Sequence, residues 1–578
     1  MEQMAGSKSS RKDKSMKKIQ GKPLPLGVTV SKEHVNFAVA VPQGKECSLL
    51  LYHRGEKEPC MSYLMEETVG EIQAAAFGDF DISEYEYNYE IDGEVSADPY
   101  AGAFSGREAW LGEGEVKRHE VRCRIIVRDY DWEGDEPLKI PYHKVIAYGL
   151  HVRGFTKDST SGAKHKGTFE GVAEKLTYLK ELGINQIQCM PVYEFEERGN
   201  RINYWGYGEG YYFAPKSAYS SGGDGVKSLK DMVKACHKEG IEVVLHMPFV
   251  NGVSGIVIHE CLRYYVTEYH IDGFILNPYV APMESIFSDP VLKRTKIMKY
   301  QDSFQNVMRR FLKGDEGMVN DVTFWLKHHS KGDGIFNYMT AHNGFTLEDL
   351  VSYDAKHNES NGENNQDGQD YNYSWNCGAE GISRKKAVVE LRKKQVRNAF
   401  FLLLLSQGTP CILAGDEFGN SQKGNNNAYC QDNRTGWVNW KSAKGDRELR
   451  DFVKDLIALR KRYPVLCQKE EPMGIDRAGC GVPEVSYHGE QAWRAPVEVS
   501  SRQLGVYYSA ALTGGKDCYV VYNMHWLEHD FALPALSGKR RWFLAASTQE
   551  GVLREETLLE DQRKITALPR TILLIVGR

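Results

Sequence analysis

The sequence predicts an α/β protein: a (β/α)8 TIM barrel flanked in the chain by an N-terminal and a C-terminal β-sandwich. Three observations predict it. At 578 residues the chain exceeds what one hydrophobic core can organise. Residues from about 140 to 465 alternate short apolar strands with amphipathic helices, the texture of a parallel sheet covered on both faces. So many βα units in one stretch favour a closed barrel over an open sheet. Before and after that stretch, the period-two alternation of antiparallel strands takes over.

Residues 1–20 are polar and basic ("MEQMAGSKSSRKDKSMKKIQ") and lack the apolar segment of a secretory signal, so a disordered, solvated tail is expected there. Residues 21–135 carry strand patterns in "HVNFAVAV" (34–41), "CSLLLYH" (47–53) and "YEYNYEIDG" (85–93), and form the predicted N-terminal sandwich. Residues 136–465 form the predicted barrel. Its strands are "KVIAYGLHV" (144–152), "INQIQCMPV" (184–192), "IEVVLHMP" (241–248), "GFILN" (273–277), "TKIM" (295–298), "IFNYMTAH" (335–342) and "PCILAGDE" (410–417). Residues 466–578 return to strands such as "QLGVYYSAAL" and "RTILLIVG", the predicted second sandwich.

Composition excludes several function classes. Net charge is −5 with both signs well mixed, so neither nucleic acid nor an anionic membrane surface is expected as a partner. The longest apolar run, "AFFLLLLS" (399–406), is far too short to span a bilayer. The twelve cysteines are scattered, with no CxxC pair and no zinc-like spacing. His246 and His342 lack a visible third ligand, and "QDGQDYNYSWN" lacks the spacing of a calcium loop. These features predict a soluble, reduced, cytoplasmic protein without metal or cofactor.

Several long segments then point to one family. "PLGVTVSKEHVNFAVAVP", "YEYNYEIDGEVSADPYA", "NYWGYGEGYYFAPKSAYSS", "AHNGFTLEDLVSYDAKHNESNGENNQDG", "SWNCGAEG" and "LLLLSQGTPCILAGDEFGNSQKGNNNAYCQDN" occur in the family's order. The chain resembles the isoamylase and glycogen-debranching (pullulanase-like) branch of glycoside hydrolase family 13, the α-amylase superfamily. The resemblance implies a starch-binding-type module at the N-terminus, an α-1,6-glucan branch as ancestral substrate, and a retaining mechanism. That mechanism needs two carboxyl groups about 5–5.5 Å apart, one as nucleophile and one as acid and base. A third carboxylate holds the sugar ring, and all sit at the carboxyl ends of barrel strands.

Carried over residue by residue, the motifs are degenerate. The third strand ends in "HMPFVN", with His246 in the place of an aspartate. The fourth reads "GFILN", with Ile275 replacing an arginine and Asn277 replacing the nucleophile. The fifth, "TKIMKY", puts Tyr300 where the general acid belongs, and "AHN" keeps His342 but replaces the third carboxylate by Asn343. An amide is a poor nucleophile, and a phenol with a pKa near 10 is a poor proton donor. Losing one member of such a set costs roughly 10⁴–10⁶ in rate. There are also almost no residues between "TKIM" and "KYQDSFQNVMRRFLKGD" to make a parallel crossover. The barrel is therefore expected to lack one strand or one helix, or to be rearranged, around residues 295–304.

Tyr148, Tyr204, Trp205, Tyr207 and His342 fall where the family contacts sugar, so they are the candidate glucan-binding residues; packing of the barrel mouth is the alternative for the aromatics. Asp416 and Glu417 are read as structural hydrogen-bonding groups. Three functions follow as expectations. The first is a family member without hydrolase activity that still binds α-glucan (glycogen or maltooligosaccharide) in a regulatory role. The second is a protein–protein scaffold without glucan binding. The third is an active hydrolase using replacement carboxylates among Glu284, Asp289 and Asp302.

Overall fold

The structure, a computed structural model, describes residues 16–112, 121–329, 334–445 and 447–578. The chain divides into two compact units. One runs to Asp131 and takes in Tyr193–Phe195 and Gly210–Lys227; the other comprises Trp132–Val192, Glu196–Glu209 and Ser228–Arg578.

The first unit is built of two antiparallel sheets. In one, Lys17–Ile19, Ile72–Gly78, His34–Ala40 and Gly27–Val30 lie side by side; in the other, Arg122–Arg124, Tyr85–Ile91, Cys47–His53 and Met61–Leu64 do. Phe37, Phe77, Leu49, Leu51 and Tyr87 fill the core, the inward set of the alternating patterns. The expected tail is shorter than predicted at its end. Residues 1–15 lie outside the described residues, but Lys17–Ile19 pairs antiparallel with Ala76–Gly78, because that sheet edge offers unpaired backbone groups. The hairpin of Tyr193–Phe195 and Gly210–Pro215, which the sequence places inside the barrel stretch, belongs to this unit, where Tyr211 and Ala214 join its core.

The second unit holds the barrel. Its parallel strands are β1 (Ala147–Leu150), β2 (Gln186–Cys189), β3 (Glu242–His246), β4 (Gly273–Ile275), β5 (Lys296–Met298) and β6 (Cys411–Leu413), ordered β5-β4-β3-β2-β1-β6. Almost all of their residues are buried because both faces are covered; all five residues of β3 are buried. The β4–β5 pairing requires a glycine, since a Cβ on Gly273 would stand 2.6 Å from the carbonyl oxygen of Lys296.

The ring closes through a segment that is barely a strand. Ile335 bridges Lys299 and Asn337 bridges Pro410, both in parallel sense. The Asn337 N–H donates to Thr409 O and its carbonyl accepts from Cys411 N, each at 2.7 Å. Counting that segment, seven parallel positions surround the barrel among the described residues. Among the described residues between β5 and the closing segment, the regular elements are two helices, α1 (Ser303–Lys313) and α2 (Val319–Lys327). Four residues separate Met298 from Ser303, so no sixth strand and crossover can form there, as the crossover length demands.

Downstream, α3 (Lys386–Leu404) leads into β6, and its end is fixed by the buried Arg460, whose guanidinium donates to the carbonyls of Leu404 (2.7 Å) and Gly408 (2.8 Å). The C-terminal sheet follows the order Val485–His488, Gln503–Tyr508, Asp517–Asn523, Thr571–Gly577, Trp542–Ser547 and Gly551–Leu558. His529–Ala532 pairs with Lys564–Ala567 in a second layer, and Tyr519, Phe531, Trp542 and Ile575 pack between the two. Among the described residues, no helix is long and apolar enough to cross a membrane.

Candidate functional site

A cavity of about 70 Å³ opens at the carboxyl ends of the barrel strands. Gly149 and Leu150 of β1, Gln188 and Cys189 of β2, His246 of β3, Ile275 of β4 and Cys411 of β6 line it, with Tyr300, Phe336, Tyr338 and His342. None of its lining residues is an aspartate or a glutamate. Retaining glycoside chemistry needs two carboxyl groups facing each other; this wall supplies neutral amides, thiols, imidazoles and phenols.

At its mouth four side chains form a chain of contacts. The Tyr207 hydroxyl oxygen lies 2.9 Å from His246 Nδ1 and 2.6 Å from His342 Nε2. A phenol has one proton, so it donates to one imidazole and accepts an N–H from the other. On its far side, His342 Nδ1 is 3.5 Å from the Tyr300 hydroxyl. Burial keeps the imidazoles neutral, lowering His246 well below the usual histidine range and pushing His342 down to about 4. Burial also raises the Tyr300 phenol above its ordinary value, which makes it a still poorer acid. Its ring packs edge-on against Phe336 and Tyr338, with centroids at 5.1 and 5.6 Å.

The other positions that the sequence aligns with the family's catalytic places point elsewhere. Asn277 is exposed and does not line the cavity; its Oδ1 accepts from Tyr279 N at 3.0 Å, capping the turn that leaves β4. Asn343 is also exposed and outside the lining. Of the three candidate replacement carboxylates, Asp289 is buried against Arg263 and caps Val291 and Leu292 N–H groups at 2.8 Å. Asp302 accepts from the Tyr338 hydroxyl at 2.7 Å, and Glu284 is exposed on a short helix, Met283–Ser288. None of them lines the cavity.

The sugar-contact residues separate into two groups. Tyr148 does not reach the mouth: it is wholly buried, and its hydroxyl donates to Glu417 Oε1 at 2.8 Å while accepting from Gly415 N. The reason is that Glu417, itself buried, needs donors, and Tyr178 supplies a second at 2.6 Å. Tyr204 lines the cavity but is 1% exposed, with its hydroxyl donating to Gly436 O at 3.0 Å and its carbonyl accepting from His151 Nε2 at 2.8 Å. Packing claims both rings. Trp205, Tyr207 and His342 remain half-buried at the rim. Trp205 meets His342, Tyr207 and Tyr429 near-perpendicularly at 4.9, 5.9 and 6.4 Å.

Asp416 and Glu417 are structural. Asp416 accepts from Leu347 N (2.9 Å) and the Thr340 hydroxyl, and burial lifts it to about 7. Tyr429 and the His246–Tyr207 contact were not legible in the sequence. Tyr429 stands more than two hundred residues from Trp205, yet its carbonyl accepts from the Tyr204 and Trp205 N–H groups. No group of three or more His, Cys, Asp or Glu side chains is arranged to hold a metal among the described residues.

Fold and cavity together define an α-amylase-type barrel protein with β domains before and after the barrel in the chain. The family described as "Alpha amylase, catalytic domain" matches residues 151–255. Among curated proteins, isoamylase 1 (chloroplastic) of Arabidopsis thaliana is 30% identical over 90% of this chain and 84% of its own length. A glycogen operon protein GlgX homolog of Haemophilus influenzae is 30% identical over 76% of this chain and 84% of its own. Among solved structures, pullulanase from Paenibacillus barengoltzii superposes with a TM-score of 0.75 at 18% identity, covering 96% of this chain and 94% of that one. The chain belongs to the isoamylase and glycogen-debranching family of α-glucan metabolism.

Proposed function

We propose that this protein is a family member without glycoside hydrolase activity that binds α-glucan at the rim of its barrel. The observation that carries the reading is the cavity wall, which holds no carboxylate. The two exposed asparagines and the half-buried Tyr300 support it, because no pair of acids faces across the site. Trp205, half-buried beside Tyr207 and Tyr429, offers the apolar ring surface that sugar C–H faces prefer. Relatives of similar fold include a pullulanase from Paenibacillus barengoltzii in complex with maltohexaose and α-cyclodextrin, which supports a glucan as the ligand class. All twelve cysteines are free, which supports a reducing compartment.

The test pairs activity with binding. Release of reducing ends from pullulan and amylopectin by the full chain should equal the buffer blank. Migration through a glycogen-containing native gel should be retarded, and Trp205→Ala should weaken that retardation by about tenfold in affinity, the scale of one lost aromatic contact. Reducing-end release that follows the protein through purification would overturn the first half of the reading, and unretarded migration the second. A protein that passes unretarded but co-purifies in a stable hetero-complex would be a scaffold instead.

A further inference from the structure

We infer that residues 132–135, where the second unit begins, are fastened by a proton-operated clamp: the protonated His237 imidazole holds Asp135, and its deprotonation releases the segment. The clamp is independent of the glucan reading.

The geometry itself requires the proton. His237 stands in the last turn of the helix Gly225–Lys238, and its side chain is only 2% exposed. Its Nδ1 lies 2.9 Å from both carboxylate oxygens of Asp135, and its Nε2 lies 2.9 Å from Asp272 Oδ2. An ionised carboxylate only accepts, so both ring nitrogens carry hydrogen and the ring is an imidazolium. The carboxyl end of the helix favours the same charge. Burial by itself would push the imidazole down; Asp272 and Asp135 outweigh it, and the group is raised above its ordinary value.

A neutral imidazole would turn one bare nitrogen toward a carboxylate, lone pair against lone pair, so one of the two contacts must break. Asp272 is fixed. It precedes β4, its Oδ2 accepts from Val243 N at 2.8 Å, and its own N–H donates to Val243 O at 3.0 Å. Asp135 lies in irregular backbone between the exposed Gly134 and Glu136, so the break falls there. The other charged groups around the clamp do not take over its role. His270 Nδ1 lies 2.7 Å from Asp135 Oδ2, and its ring stacks on Trp132 with centroids 3.8 Å apart. With one carboxylate partner, neutral His270 can keep its bond through the right tautomer; His237, with two, cannot. Glu133 pairs with Lys234 and Lys238 at 2.9 and 2.7 Å, but its carboxylate is 52% exposed, and such pairs hold weakly. Glu242 of β3 pairs with Lys296 of β5. A group raised on folding gives its stabilisation below the unfolded value near 6.5 and loses it as pH rises through the folded value. The segment is therefore held in acid and released in alkali.

The experiment reads Trp132, which the clamp keeps against His270. Its emission is the difference between the full-length protein and a Trp132→Phe variant, taken at about pH 6 and about pH 9, with circular dichroism confirming the fold at each. The wild-type difference spectrum should shift to the red at the higher pH, as the indole moves into water, with the released form gaining about tenfold per pH unit through the window. His237→Gln, which cannot donate to both carboxylates, should give the red spectrum at both values. His270→Gln should still shift. Asp135→Asn, whose amide can meet either form of the ring, should not shift. A wild-type spectrum that is the same at both pH values, or an undiminished shift in His237→Gln, overturns the inference. A shift lost in His270→Gln but kept in His237→Gln also overturns it, by placing the titration on His270. If His237→Gln fails to fold, Asp135→Asn decides, and a full shift in that variant refutes the clamp.

Discussion

Replacing Tyr207 by phenylalanine removes one oxygen and nothing else, so it weighs the contact on which the site reading turns. Two hydrogen bonds disappear, at 2.6 Å to His342 and 2.9 Å to His246. Both partners are neutral imidazoles, so neither contact carries the added strength of a charge-assisted bond. A neutral hydrogen bond contributes about 0.5–1.5 kcal/mol net, which puts the pair near 2 kcal/mol. The cavity alongside holds space for water, which can rejoin the freed nitrogens and trim the loss toward 1 kcal/mol. The expected destabilisation is therefore about 1–2 kcal/mol. Urea titration followed by tryptophan fluorescence measures it, since Trp205 sits against both Tyr207 and His342. A double-mutant cycle with His342→Gln should return a coupling of about 1 kcal/mol. Stability unchanged within about 0.3 kcal/mol, together with zero coupling, would show that the phenol does not bridge the two histidines.

Two further outcomes follow from the same geometry. The triple variant Asn277→Asp, Tyr300→Glu, Asn343→Asp, assayed by reducing-end release from pullulan, should stay within about tenfold of the blank rather than recover the roughly 10⁴–10⁶ of an intact set, because positions 277 and 343 face solvent outside the cavity. Acid should weaken the C-terminal domain through His488, which is fully buried, accepts the Trp493 N–H on Nδ1 at 2.8 Å and is pushed down to about 4 by burial. Between the unfolded value near 6.5 and that folded value the unfolded chain binds the extra proton, so stability falls as pH drops through this window. The contribution is about 2 kcal/mol between pH 7 and pH 5. Denaturant midpoints at the two pH values should differ less in His488→Gln than in the wild type by about that amount, and equal differences would refute it.

The primary structure alone determined the architecture and the family, because both are written in local patterns. Period-two runs such as "CSLLLYH" become strands wherever one face is buried, and the short apolar segments "EVVLH" and "GFI" become parallel strands because helices cover their outer face and the barrel interior their inner one. The missing barrel element was legible too, as a count: the few residues after Met298 cannot make a crossover. That Asn277, Tyr300 and Asn343 stand in the family's catalytic places is what the resemblance implies. What those residues touch was decided by tertiary structure. Tyr148 and Tyr207 look alike in sequence, both aromatics of a sugar-contact set. One is drawn inward by the buried Glu417, more than two hundred and fifty residues away in the chain, and the other to two histidines, one at the end of β3 and one in a loop nearly a hundred residues later. Hydrogen-bonding demand at buried polar groups chooses between such fates, and that demand exists only once distant segments have met.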